Sequence, residues 1–156
     1  MLRRETFLTP QGLKQLQEEL DNLKGARLRE VTERIHKASE SGGNVDNAEY
    51  DEAMSQQGFV EGRIRELESI LANAVVTAHD KRGGIVDIGS AVTVQGANGR
   101  KQSYKLVGSA EASPLEGKIS NESPVGQALL GHKVGDEVEV ETPSKKPVKF
   151  TITRIR

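Results

Sequence analysis

Two apolar series with helical spacing flank a base-free, acid-rich turn, and this arrangement constrains the fold more than any other feature of the chain. Leu13, Leu16, Leu20 and Leu23 recur at steps of three, four and three, the seam of a coiled coil. Arg27 stands where the next seam residue belongs, and the series resumes at Leu28, Val31, Ile35 and Ala38. That slip resembles a stutter, which locally relaxes a supercoil. Ser41-Gly42-Gly43-Asn44 then breaks the helix. A second series follows through Tyr50, Met54 or Ala53, Gln57, Val60, Ile64, Leu67, Leu71 and Ala74. Two long helices joined by a short glycine turn fold back as an antiparallel hairpin, because each has only a narrow seam to bury.

Helix-start signals agree. Thr9 is an N-cap candidate ahead of Pro10 at the first helical position, and Asp46 or Asn47 caps the second helix. Between Ala38 and Gly62 lie six acids (Glu40, Asp46, Glu49, Asp51, Glu52, Glu61) and no Lys or Arg. Acids near Asp46 favour a helix N-terminus through its dipole. They also form an oxygen-ligand set suited to Mg²⁺, which keeps waters and shares ligands with a partner's phosphates or carboxylates.

Beyond Val76 the texture changes. Lys81-Arg82-Gly83-Gly84 reads as a turn, with residues 78–84 as the linker between a coiled-coil domain over 1–77 (tip 40–50) and a second domain over 85–156. Strands are expected at 90–95, 102–107, 136–141 and 148–155, with one short helix at 124–130. The fold class is therefore α+β, a hairpin followed by an antiparallel sheet with one short helix. Charge divides similarly: residues 1–80 hold 10 Lys+Arg against 15 Asp+Glu, and residues 81–156 hold 12 against 8.

Several chemistries are excluded or thin. The chain has no cysteine, so disulfides and thiolate metal sites are absent. With two Tyr, three Phe and no Trp, stacking platforms for single strands are poor. No apolar run approaches membrane-spanning length and the N-terminus is not signal-like, so a cytoplasmic location without membrane contact is expected. His36, His79 and His132 share no metal-ligand spacing, and no G-x-S-x-G element occurs. Lys145, Lys146 and Lys149 could carry a DNA contact, with a solvated strand edge as the alternative.

GGNVDNAEY (42–50), QQGF (56–59), EGRI (61–64), LTPQG (8–12), QEEL (17–20), LANAV (71–75), ISNESPVGQALL (119–130), GDEV (135–138) and Thr142-Pro143 together resemble the bacterial Gre transcript-cleavage/elongation factor family, GreA-like in pattern. The resemblance covers nearly the whole chain. It implies a coiled coil that enters the secondary channel of RNA polymerase and an FKBP-like C-terminal domain that docks beside that channel. In such a factor, tip acids help hold a catalytic Mg²⁺ and its water while the polymerase hydrolyses its own backtracked RNA at the 3′ end. The factor itself is not an enzyme, and it is expected to act as a monomer.

Mapped onto this chain, the resemblance makes Asp46 the Mg²⁺-side catalytic acid, with Glu49 as a second candidate. It places Asn47, Tyr50, Ser123 and Pro124 at partner contacts. The family tip reads G-D-L-[KR]-E-N-A-E-Y and this chain reads G-G-N-V-D-N-A-E-Y, so Gly43 replaces the first acid and Asp46 the second. The family's basic flanks fall on Ser39 and Met54. Two functions follow: stimulation of transcript cleavage, or occupation of the channel with weak cleavage that modulates pausing. A free-standing coiled-coil adaptor is a third, poorly matched by the C-terminal half.

Overall fold

The computed structural model describes residues 5–41, 47–144 and 146–156. The chain forms two compact units, one of Leu13–Asn73 and one that joins residues 5–12 to Ala74–Arg156. This differs from the boundary at residue 77 expected from sequence. The N-terminal residues and Ala74–Val76 pair with each other in parallel as a separate two-stranded sheet, β1 (Thr6–Leu8) and β2 (Ala74–Val76), and belong to the second unit through bonds from Thr9 to Glu111 and the close approach of Phe7 to Gly108.

The first unit is a helical hairpin. Its first arm runs as α1 (Pro10–Asn22), a π turn (Leu23–Arg27) and α2 (Leu28–Ser41), and its second arm is α3 (Ala48–Ala72). Buried seam residues repeat every seven positions: Val31 and Ala38 on α2, and Ala53, Val60 and Leu67 on α3. Leu16 and Val31 are fifteen apart in sequence, one more than two heptads. The π turn absorbs that extra residue, with Leu28 N–H bonded to the Leu23 carbonyl five residues back. The stutter at Arg27 is thus realised as a π turn. Ala53 rather than Met54 is the seam residue, since Met54 is exposed. The second helix ends before Ala74, which is a strand residue.

Charge clips hold the arms. The Arg63 guanidinium grips both Glu19 oxygens (Nε–Oε1 2.8 Å, Nη2–Oε2 3.1 Å) and reaches Glu66 at 2.9 Å. The Glu19 hydrogen bond, then that of Glu66, pushes the Arg63 pKa further up. Lys24 pairs with Glu68 beside the π turn, and Arg34 donates to Gln56 at 2.9 Å.

The second unit is a five-stranded sheet ordered β5-β4-β3-β7-β6, from β3 (Ala91–Gly96), β4 (Lys101–Val107), β5 (Lys118–Ser120), β6 (Glu137–Val140) and β7 (Val148–Ile155). It is antiparallel except at one edge, where β4 and β5 run parallel, so the expected purely antiparallel sheet becomes mixed. Short β5 is not among the strands expected from sequence. One face of the sheet packs Val92, Val94, Leu106, Val138 and Ile152 against Val86 and Leu129, the latter from α4 (Pro124–Leu129). At the N-terminal edge, Gly108 lies so close to the Phe7 carbonyl that a Cβ would sit 1.6 Å from its oxygen. No helix among the described residues is long and apolar enough to cross a membrane.

Candidate functional site at the hairpin end

Asp46 and Gly43 lie outside the described residues, as do Gly42, Asn44 and Val45. What the structure does place is the scaffold on either side of them. Asn47 caps α3: its side-chain oxygen accepts from Tyr50 N–H at 3.2 Å, and its amide donates to the Ala38 carbonyl at 2.6 Å. That second bond ties the two arms together. Asn47 and Tyr50, expected as partner contacts, are half-buried, and Asn47 is engaged within the hairpin. Of the two cap candidates, the structure selects Asn47.

Glu49 is exposed on the first turn of α3, two residues beyond the cap. Together with Glu52 and Gln56 it lines a groove of about 620 Å³, whose other wall carries Arg34 and Lys37 from α2. Glu40 is drawn aside towards His36 (Nε2–Oε1 3.0 Å). Ser39 and Met54 are both exposed, and the Ser39 hydroxyl donates to the His36 carbonyl at 2.8 Å.

Arg34 and Lys37 are the residues that sequence reasoning missed. The base-free stretch begins at Ala38, and both cations stand just upstream of it. Their helical spacing of three was the available signal, since it puts them on one face. Among the described residues Lys37 has no carboxylate partner. Acid and base therefore coexist in one open groove beside the turn. Such a groove can present carboxylates to a cation and an ammonium to a phosphate. Among the described residues, no three His, Asp or Glu side chains converge as a metal site of the chain's own.

In the sheet unit, Ser123 caps α4 by accepting from Gly126 N–H at 3.1 Å, and its hydroxyl donates to the Ser120 carbonyl at 2.6 Å. Pro124 occupies the first turn of the helix and is exposed. Each histidine pairs with an acid: His36 with Glu40, His79 with Asp87, and His132 with Asp136 at 3.1 Å. The His79–Asp87–Ser90 cluster is not a hydrolytic triad. Ser90 is fully buried, and its hydroxyl donates to Asp87 Oδ1 at 2.7 Å. The same His79 nitrogen, Nδ1, meets both partners. Burial pushes the Asp87 carboxyl up, but hydrogen bonds from Ser90 and His79 outweigh it and hold the pKa below its ordinary value. Lys149 stands opposite Glu139 in the β6–β7 ladder, Lys146 is exposed, and Lys145 lies outside the described residues.

Residues 6–76 match the family described as "Transcription elongation factor, N-terminal", and residues 80–156 match "Transcription elongation factor, GreA/GreB, C-term". The chain belongs to the GreA/GreB family. Transcription elongation factor GreA of Acetivibrio thermocellus is 48% identical over 98% of this chain and 97% of that protein. GreA of Macrococcus caseolyticus is 45% identical over 99% and 98% of the two chains. Among solved structures, GreA factor homolog 1 of Thermus thermophilus is 34% identical, covering 98% of this chain and 99% of that one, with a TM-score of 0.45. The α+β family fold, a helical hairpin with a sheet unit, and the role of transcription elongation factor follow from this membership.

Proposed function

We propose that this elongation factor binds RNA polymerase, inserts its hairpin into the secondary channel and stimulates cleavage of backtracked RNA. The observation that carries the reading is the open groove beside the turn, with Glu49 and Glu52 on one helix and Arg34 and Lys37 on the other. The factor is not the enzyme; the polymerase hydrolyses its own transcript. Asp46 is the acid assigned to the polymerase's Mg²⁺ side, with Glu49 in support. Such a hairpin suits a metal whose remaining ligands come from the partner, and Mg²⁺ accepts that division because it needs few carboxylates. A metal bound there supplies an activated water. Arg34 and Lys37 stand in for the basic flanks absent at Ser39 and Met54, and face the RNA 3′ end. Asn47 and Tyr50 are assigned to partner contacts at the hairpin end, and Ser123 and Pro124 mark the surface that docks on the polymerase. The site of action is the cytoplasm, and the factor acts as a monomer.

The direct test adds purified factor to a backtracked elongation complex with Mg²⁺ and times the release of short RNA. Accelerated release supports cleavage, and a rate equal to the intrinsic one removes it. Gly43 favours a second reading, a channel occupant with weak cleavage, because one acid of the family tip is missing. Losing a single transition-state stabiliser costs ~10²–10³ in rate. Under the cleavage reading Gly43→Asp raises the rate severalfold. Under the second reading the wild type slows nucleotide addition without releasing RNA.

A further inference from the structure

The connection between β3 and β4 carries a chemistry that the proposed function does not use. Gly96 N–H donates to the Arg100 carbonyl at 2.9 Å and Gly99 N–H to the Gly96 carbonyl at 3.0 Å, which leaves Ala97, Asn98 and Gly99 as the loop. Gly99 has a φ of 80°, the left-handed conformation that closes three-residue hairpin loops and favours glycine. The turn therefore dictates Gly99, and the residue before it is an asparagine. Each of the other five asparagines in the chain is followed by a residue with a side chain.

Asn98 and Gly99 are exposed, and a Cβ placed on Gly99 would meet nothing closer than Gln95 Nε2 at 4.0 Å. The Asn98 side chain folds back over its own loop. Its Oδ1 accepts from Arg100 N–H at 3.0 Å and lies 3.1 Å from where a Cβ on Gly96 would stand. The side-chain carbonyl is thus held against the backbone that follows it, with an N–H on the oxygen that gains charge when Cγ is attacked. A donor at that place stabilises a tetrahedral intermediate. The bond from Gly99 N–H to Gly96 works the other way, since it must open before the nitrogen can attack.

We propose that Asn98 is a site of spontaneous deamidation in the folded protein, with the Gly99 nitrogen as nucleophile and water as the only co-reactant. The Gly99 nitrogen gives its proton to a base and attacks Asn98 Cγ. The N–Cγ bond forms, the Cγ–Nδ2 bond breaks, and Nδ2 leaves as ammonia with a proton returned by that base. Glycine permits the approach because no Cβ shields its nitrogen. One water then opens the five-membered imide. Attack at Cγ leaves an ordinary aspartyl residue. Attack at the main-chain carbonyl leaves an isoaspartyl residue, whose backbone runs through Cβ and Cγ. Either product sets a carboxylate beside the exposed Arg100 and Lys101 and makes the chain one charge more negative. The isoaspartyl form also lengthens the loop by one carbon, which disturbs the Gly96–Arg100 closure.

The test ages the full chain under native conditions in neutral and in mildly alkaline buffer. Ammonia release is followed, peptides are mapped by mass, and an isoaspartyl methyltransferase with a labelled methyl donor reports the isoaspartyl product. Asn98 is expected to convert ahead of every other asparagine, at a rate that rises in proportion to hydroxide. Opening an exposed loop costs little, so that rate should lie within about tenfold of the rate in a free peptide carrying the same four residues, 97–100. Asn98→Gln should abolish methyl labelling at this loop, because the longer side chain would have to close a six-membered ring, and melting of the unaged variant confirms its fold. Asn98 left intact in the folded protein after the peptide has fully converted would overturn the proposal. So would earlier conversion of another asparagine, or a rate at Asn98 that does not change with pH.

Discussion

Gly108 and Glu111 show how much depends on single atoms at the edge of the sheet unit. A Cβ on Gly108 would meet the Phe7 backbone oxygen at 1.6 Å, and a backbone atom cannot swing away as a side-chain end can. Gly108→Ala is therefore expected to cost about 3 kcal/mol through the forced backbone shift, read as a lower denaturant midpoint. Glu111 sits 102 residues from Thr9 yet accepts its N–H at 2.8 Å and its hydroxyl proton at 2.5 Å, while Thr9 Oγ1 accepts from Gly12 N–H at 3.0 Å. Thr9 was legible as an N-cap, but the acid that completes the cap comes from the far half of the chain and carries no local signal. Glu111→Ala should cost about 2 kcal/mol by stranding the buried Thr9 donors. Glu111→Gln should cost less, because it keeps one acceptor oxygen for Thr9 and loses the second acceptor and the charge at the helix start. Asp87 gives the pH dependence. Its folded pKa is depressed, so its contribution is present above the ordinary carboxyl range and disappears as pH falls through the folded value. Asp87→Asn should destabilise by about 1–2 kcal/mol at neutral pH. In an acid series of thermal melts, the gap to wild type should close below about pH 3.9.

At the scale of elements, the π turn makes a prediction about length. Because it stores the one residue beyond two heptads between Leu16 and Val31, removing Gly25 should convert the arm to continuous α-helix and keep the buried seam in register. Removing Thr32 instead rotates Ile35 and Ala38 by about 100° away from α3. Circular dichroism and melting should show the first variant folded near wild-type stability and the second strongly destabilised; equal outcomes would deny the turn this role. Gly58 and Gly62 lie in the interior of α3 with open space where a Cβ would go. Their alanine variants should each add about 0.5–1 kcal/mol. Long periodic elements were the readable ones. The slip at Arg27, the hairpin, strand 148–155 and the cap at Ser123 all announce themselves through spacing or a cap-and-proline pair. The three-residue strands Thr6–Leu8, Ala74–Val76 and Lys118–Ser120 do not, because three residues are too few to show alternation, and their partners lie elsewhere in the chain. Met54 against Ala53 was undecidable by pattern, since neighbours on a helix both border a seam.

For the whole molecule, the acidic first half and basic second half were visible as charge, but the sequence placed the boundary too late. The chain's beginning is structurally part of its end: Leu8 is fully buried, the Leu8 carbonyl accepts from Thr77 N–H at 2.8 Å, and β1 pairs with β2 from the far side of the hairpin. No periodicity reveals such a closure, because the strands carry too little sequence and the hairpin separates them. It has a consequence for dissection. A fragment cut at the apparent linker, starting at residue 78, loses β1, β2 and the close cover at Gly108. Losing the burial of one leucine alone removes about 2 kcal/mol, which in a domain of this size lowers Tm by roughly 8–16 °C. A fragment that carries residues 5–12 joined by a flexible linker to residues 74–156 restores the ladder and the Thr9–Glu111 cap, so its Tm should return toward the value of the intact sheet unit. Equal melting of the two fragments would mean that the N-terminal strand only rides on the sheet. A large difference would mean that the N-terminal strand is part of what holds the sheet unit folded.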